Sequence, residues 1–358
     1  MIKRVLCTGA GGPAGINFVK SLAVAPEKLC IIGTEANEHF LHTMSTDTKY
    51  LVPKAKASGY IDCLNEIICK EKIDFLHAQP DVEVEIVSEH REKLEAPMFL
   101  PSKQAVRTCQ DKLASANAWK NKDIPVARTI IIRQESDIER AFAELGSPIW
   151  IRATRGAGGR GSTPASNHEM AASWINYWRA RNVDWEFIAQ EMLPGRNIAF
   201  HSLWLNGELV TSMARERIEY IYSYLAPSGI MGTPAVQKTV HDNTVNKIST
   251  EAVLAIDPNF TGIASVDLKE NKNGVPCVTE INPGRMFTTS FFFSYASKVF
   301  FNDYRINIPY LYTKLAYKEN LPKLDKYNPL PADVYWIRHM DAPGCLVKDN
   351  KVLGAMYT

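Results

Sequence analysis

Residues 3–8, Lys-Arg-Val-Leu-Cys-Thr, read as a strand that breaks into Gly9-Ala10-Gly11-Gly12-Pro13-Ala14-Gly15, and residues 16–23 resume with apolar side chains at helical spacing. A strand, a tight glycine turn and a helix, in that order, restrict the fold more than any other feature of the chain. Further strands at 29–34 and 73–78 and a helix at 61–70 continue the alternation. Strands alternating with helices predict an α/β, parallel, doubly wound sheet, with ligands beyond the carboxyl ends of its strands. The Rossmann-like unit is expected to span residues 1–101 and to close near Phe99-Leu100-Pro101-Ser102.

The pattern then changes. Helices are predicted at 102–109 and 111–120, and Pro125 introduces a strand at 127–132. A helix at 137–145 has Ser136 as its expected N-cap and Gly146 as its stop. A strand at 149–152 opens onto a glycine-rich segment at 155–161, and a helix at 168–180 carries Tyr177 with Trp174 and Trp178, the two tryptophans read as core. From 187 onward strands dominate, at 187–192, 198–205 and 208–214, with Asn206-Gly207 as a hairpin turn. A helix at 245–256 precedes a hairpin, 262–270 and 275–281, across Asn271-Lys272-Asn273-Gly274. Residues 319–332 read as a Pro- and Lys-rich linker to a last strand pair at 334–339 and 344–353.

Composition excludes several classes. Lys and Arg number 41 against 39 Asp and Glu, and no basic stretch is dense enough for a nucleic-acid face. The apolar N-terminal run is too short for a signal peptide or a membrane span. The seven cysteines are scattered with no Cys-x-x-Cys pair, which argues against a disulfide framework. Reduced, mostly buried thiols and a cytoplasmic, soluble protein are expected.

Three segments can carry chemistry. The Gly9 to Gly15 turn, with Glu35 ending the second strand, fits an anion or dinucleotide site, and equally a turn that needs glycine for close packing. The segment from Arg152 to Ser162 holds four glycines and three arginines but no Gly-x-x-x-x-Gly-Lys motif. It suits a flap over a triphosphate, with backbone N–H groups cradling phosphates and arginines neutralising them; a solvated loop is the bland alternative. Third, the Asn-Gly turn makes the strands of Asp267 and Glu280 antiparallel, so these carboxylates can face one another. With the amide oxygen of Asn282 they form an all-oxygen set suited to magnesium shared with phosphates. An acidic surface hairpin would look similar.

Lesser candidates are Arg215-Glu216-Arg217, facing phosphates or a substrate carboxylate or equally a solvated charge pattern, and a substrate-side loop at 228–233. Met286-Phe287-Thr288-Thr289-Ser290 follows the acidic motif and can line an acceptor pocket or equally be an ordinary polar connection; His201 and His241 read as structural or surface.

Together, the Arg152 to Gly161 segment and Glu280-Ile281-Asn282-Pro283-Gly284-Arg285 resemble the ATP-grasp superfamily, especially one synthetase half of the carbamoyl-phosphate synthetase large subunit. The resemblance spans residues 1–315 and implies a two-subdomain α+β ATP-grasp fold after the Rossmann-like domain. It divides the chain into a small subdomain with the flap (102–186), a large subdomain with the magnesium site (187–318), and a linker with the C-terminal strands (319–358). It implies an ATP-dependent carboxylate–amine ligase acting through an acyl phosphate, with Mg2+ as the metal and Mn2+ as the alternative. Lys112 resembles the first phosphate-contacting base and Arg152 the second, an arginine in the carbamoyl-phosphate branch. Gly156, Gly158, Gly159 and Gly161 match the flap, and Gln190-Glu191-Met192-Leu193 the hinge that meets adenine. Asp267, Glu280 and Asn282 match the metal ligands, Arg285 the arginine that steadies the reacting acyl phosphate, and Arg215 joins the nucleotide-side set. The partners implied are a small carboxylate and an amine, with no nucleic acid or membrane; related enzymes are often dimers, so a homodimer is one assembly it allows. Two departures stand out. Asn197 replaces the ribose-binding acid of many members, and Gly284 is inserted before Arg285. A non-catalytic Mg-ATP module and a nicotinamide-dependent oxidoreductase are the alternatives.

Overall fold

In the computed structural model, which describes residues 2–156, 159–181, 185–230, 232–340 and 342–355, the chain opens with an all-parallel sheet. Its strands are Arg4–Cys7 (β1), Cys30–Glu35 (β2), Thr48–Leu51 (β3) and Phe75–His77 (β4), in the order β3-β2-β1-β4. Helices Pro13–Ala23 (α1), Tyr60–Glu71 (α2) and Asp81–Glu89 (α3) belong to the same unit. Because helices cover it, β1 and β4 are buried almost throughout. Two elements exceed the expectation. β3 is an edge strand with no fully buried residue, and α3 starts after Pro80 with Asp81 favouring its N-terminal dipole.

Helices Lys103–Gln110 (α4) and Lys112–Lys120 (α5) follow. Each is capped from its own sequence. Ser102 accepts the Ala105 N–H, and Asp111 accepts those of Leu113 and Ala114, so Lys112 opens α5. Next comes an antiparallel sheet of Thr129–Ile132 (β5), Ile149–Ala153 (β6), Thr163–Ala165 (β7) and Phe187–Glu191 (β8), in the order β5-β8-β6-β7. Glu135–Leu145 (α6) and His168–Ala180 (α7) pack on it through Ile138, Ala141, Ala171 and Ile175. The cap of α6 is Gln134 rather than Ser136, because Gln134 and Asp137 satisfy each other's backbone N–H groups in a capping box.

The remainder builds an antiparallel sheet of Asn197–Leu205 (β9), Glu208–Tyr220 (β10), Pro234–Val240 (β11), Gly262–Glu270 (β12), Pro276–Pro283 (β13), Tyr335–His339 (β14), Ala342–Lys348 (β15) and Lys351–Ala355 (β16). Its order is β13-β12-β9-β10-β11-β14-β15-β16. Asn243–Ile256 (α8) covers one face, where Phe200, Trp204, Val253 and Trp119 meet. On the other face the side chains change character along each strand. Leu203, Met213 and Ile263 pack with Phe291–Phe301 (α9), Ile308–Ala316 (α10) and the N-terminal unit. Further along, the same face carries His201, Arg215, Ser265 and Asp267.

The expected last strand pair is a three-strand meander, and β11, α9 and α10 were not anticipated. Residues 319–332 have no helix or strand, yet they are docked: Thr211, Ser212 and Thr239 donate to the carbonyls of Asp325, Lys326 and Pro331. Among the described cysteines Cys7, Cys109 and Cys277 are buried and Cys69 is exposed. Among the described residues, no helix is long and apolar enough to cross a membrane.

Candidate functional site

Strand register assembles the site. Asp267 stands opposite Glu280 on β13 and opposite Ala199 on β9; Ala199 in turn faces Arg215, and Asn197 faces Arg217. Ser265 pairs with Asn282 in the same way. Since paired residues share a face, these side chains converge over the sheet. They line a cleft of about 210 Å³, closed from the other side by Trp150, Arg152 and the run Gln190 to Leu193. The expected pairing of the two carboxylates across the Asn271 to Gly274 turn is therefore present.

The carboxylates sit among cations. Arg152 donates from Nη2 to Glu280 Oε2 at 3.0 Å and from Nη1 to the Thr279 carbonyl at 3.3 Å. Lys112 Nζ lies 3.7 Å from Glu280 Oε1 and donates to the Gly156 carbonyl at 2.6 Å, tying the start of the flap to α5. Burial alone would push the Glu280 carboxyl up, but Lys112, Arg152 and Arg285 together hold it below its ordinary range. Burial lowers the Lys112 ammonium against the pull of Glu280, so this cation is held by its partners rather than by water. Arg217 forms an ion pair with Asp267 and donates to Asn197 Oδ1 at 2.9 Å, while the Asn197 amide donates to Tyr220 Oη at 3.1 Å. Asn282 joins the set, its amide 3.4 Å from Asp267 Oδ2.

Arg285 is brought into the same place. Its guanidinium donates to Asn282 Oδ1 and pairs with Asp81 at the start of α3. The inserted Gly284 makes this reach: its φ is +71°, and a Cβ there would lie 2.7 Å from Leu100 Cδ2, so the chain turns under the N-terminal unit where only glycine fits comfortably. Gln79 fixes the next residue, donating to the Met286 carbonyl at 2.9 Å and accepting its N–H at 3.3 Å.

Residues 109–290 match the ATP-grasp domain family. The chain belongs to the ATP-grasp family. It is 30% identical over 98 residues to a D-alanine–D-alanine ligase of Acinetobacter baumannii, a match covering 27% of this chain and only 30% of that enzyme. The fold is similar over 94% of the chain to N5-carboxyaminoimidazole synthetase of Staphylococcus aureus solved with ADP, with TM-score 0.70, 15% identity and 82% of that chain covered. It is also similar to the biotin carboxylase domain dimer of the Hydrogenobacter thermophilus 2-oxoglutarate carboxylase, solved with MgADP, ADP and bicarbonate. There the TM-score is 0.68 at 14% identity, covering 94% of this chain and 74% of the other.

The other candidate residues are distributed around this cleft. Gln190 is buried and donates to Thr129 Oγ1 at 3.0 Å, Glu191 pairs with Arg128, and Met192 and Leu193 line the cleft. In the flap, Gly156, Gly159 and Gly161 have positive φ, whereas Gly158 lies outside the described residues. Arg160 stacks over Trp178 at 5.4 Å and Trp185 at 5.2 Å, and Trp174 donates to the Gly161 carbonyl at 3.1 Å. Trp178 and Trp174 thus pack in a cluster, as expected, but one that also holds the flap. Of the 228–233 loop, Ile230 and Gly232 line the cleft; Met231 lies outside the described residues.

The fold places three further residues. Glu35 is not free for a ribose: it accepts the N–H groups of Gly11, Ala36 and Asn37, so the first glycine turn is closed by its own acid. His201 is structural: it is buried, its Nδ1 lies 2.7 Å from Ser265 Oγ, and burial followed by the charge of Arg215 keeps it neutral. Arg217 is no solvated charge but pairs with Asp267; this pairing depends on β9 lying between β10 and β12, which no local spacing reveals. Among the described residues no three His, Cys, Asp or Glu side chains gather as a metal cluster. The acidic set is two carboxylates with an amide, hard oxygen donors that suit magnesium better than a softer metal.

Proposed function

We propose that this chain is a magnesium-dependent ligase that uses ATP to activate a small carboxylate as an acyl phosphate and joins it to an amine. The observation that carries the reading is the pairing of Asp267 with Glu280 inside a ring of Lys112, Arg152, Arg217 and Arg285. Two carboxylates alone would be a surface hairpin. Four cations around them suit a polyphosphate and a divalent ion that share the same ligands.

Asp267, Glu280 and the Asn282 amide would hold magnesium, with manganese as the alternative. When bound, the ion supplies charge neutralisation between the phosphates. Lys112, Arg152 and the flap from Gly156 to Gly161 hold the triphosphate. The edge from Gln190 to Leu193 offers backbone groups to adenine, and Asn197, steadied by Tyr220, stands on the ribose side. Arg285 neutralises charge on the transferring phosphoryl group. A substrate carboxylate oxygen attacks the γ-phosphorus and ADP leaves. The amine nitrogen then attacks the acyl carbon, loses a proton, and phosphate departs. Positioning and fixed charge supply most of the acceleration.

In this reading residues 102–186 carry the flap and 187–318 the metal site. Arg152, where lysine is commoner, supports likeness to the carbamoyl-phosphate branch. A ligase is also the class named for the Acinetobacter relative. The scattered cysteines support a cytoplasmic setting. The test is ADP release from Mg-ATP screened against pooled amino acids and small carboxylates, for the native chain and Glu280→Gln. Release by the native chain and its loss in a folded variant are expected; full activity of Glu280→Gln overturns the assignment.

A further inference from the structure

Arg215 has no work in the scheme above, yet it is among the most demanding side chains to bury. It is 1% exposed, lies mid-way along β10, and its guanidinium stacks 4.0 Å over the ring of Phe287. Neither Nε nor Nη1 meets an acceptor. The acid that acts on it, Asp267, is already paired with Arg217, and burial together with Arg217 and Arg338 disfavours its charged form. An uncompensated buried guanidinium is costly, and a well-packed apolar residue would be cheaper at this position.

The surroundings offer donors and few acceptors. His201 meets Phe287 edge-on at 4.1 Å and has an unpartnered Nε2. Gln237, register partner of Arg217 on β11, has an unpartnered Nε2, while its Oε1 is taken by Thr289. Arg215 reaches the same cleft as Glu280, Arg285 and Thr288, but from a strand two removed from that of Asp267. At roughly 4.8 Å per strand, its backbone lies about 10 Å across the sheet from that of Asp267. Arg217, on the same strand, spans that gap to Asp267, whereas the Arg215 guanidinium turns onto Phe287 and so stands beside the acidic set rather than on it.

We propose that Arg215, backed by Phe287, is the anion subsite for the substrate, where its planar fork binds a carboxylate of the acid or amine partner rather than a nucleotide phosphate. This rests on the ligase reading and adds to it that a substrate carries a carboxylate recognised at β10. The fork geometry matches two carboxylate oxygens, and exclusion of water by Phe287 strengthens the contact.

The test uses thermal shift on the full chain with Mg-ADP, then with acetate, succinate or inorganic phosphate titrated onto the Mg-ADP-saturated protein. For the native chain, stabilisation by Mg-ADP and further stabilisation by acetate or succinate are expected. Arg215→Met should keep the Mg-ADP response, lose the carboxylate response by about tenfold or more, and show a raised Tm without ligand, since an uncompensated cation is gone. If Arg215→Met does not fold, Arg215→Lys serves: it keeps the charge, loses the fork, and should weaken the carboxylate response while leaving that to Mg-ADP intact. A variant that loses the Mg-ADP response assigns the guanidinium to the nucleotide and overturns the proposal, as does a carboxylate response that survives the substitution. A native chain that responds to Mg-ADP and phosphate but to neither carboxylate also overturns it. No response of the native chain to Mg-ADP removes the ligase reading itself, and this proposal with it.

Discussion

Glu83, in the first turn of α3, is 5% exposed, and its Oε2 has no hydrogen-bond partner. Burial pushes its carboxyl from 4.5 up to about 7, with Glu35 adding to the rise and contacts from Thr8 and Tyr60 opposing it. The sign of the consequence follows from proton counting. Between those values the unfolded chain is ionised at this position while the folded chain is still protonated. Stability from this group is therefore full below the lower value and is lost as pH rises through the upper one. The linkage relation turns this displacement into roughly 3 kcal/mol above pH 7. Glu83→Gln keeps the shape and removes the ionisation. The two proteins should have similar urea midpoints near about pH 5, and the variant should be more stable by about 2–3 kcal/mol near pH 8. The midpoint is read by tryptophan fluorescence across that range. His77, lowered by burial to about 4, loses stability in the opposite direction, as pH falls below 6.5. It is present in both proteins and cancels in their difference. A difference between variant and native chain that stays constant from about pH 5 to 8 would refute the reasoning. Because α3 also carries Asp81, the partner of Arg285, ADP release in the native chain should fall in the same alkaline window.

Other perturbations address the supports of the cleft. Gly284→Ala forces a Cβ into a φ of +71° beside Leu100, and about 1–2 kcal/mol of backbone strain is expected. It should appear as a lower Tm with reduced turnover, and an unchanged Tm would show that the turn adapts freely. Gln79→Leu strands the Met286 N–H and carbonyl; a loss of about 2–3 kcal/mol is expected, with kcat reduced more than the KM for Mg-ATP changes. A rise in KM alone would place Gln79 on the nucleotide side instead. Arg160→Met removes the guanidinium from Trp178 and Trp185, worth about 0.5–1 kcal/mol, so KM for Mg-ATP should rise a few-fold with Tm unmoved. Identical steady-state kinetics would remove the flap anchorage.

What the chain discloses before folding is set by how local each signal is. The strand and helix alternation at the N-terminus depends on contiguous apolar runs, and β1, β2 and α2 follow it closely. The opposition of Asp267 and Glu280 is nearly local too, because a four-residue turn at Asn271 to Gly274 fixes the register that carries both acids. β3, α3 and β11 leave weaker traces: an edge strand needs no apolar face, acids interrupt the period of α3, and β11 mixes Gln237, Lys238 and Thr239 among its apolar residues. In α9 three consecutive phenylalanines are buried, and so are Ser294 and Ser297, so apolar and polar positions do not separate into an inner and an outer face. Most distant of all are the functional couplings. Arg217 reaches Asp267 only after β9 has inserted between their strands, and Asp81 reaches Arg285 only once the N-terminal unit has docked. In the sequence Arg215 and Arg217 are near neighbours with the same charge and the same apparent role. Folding separates them: one pairs with Asp267, and the other is left buried at the same cleft with its Nε and Nη1 unpartnered.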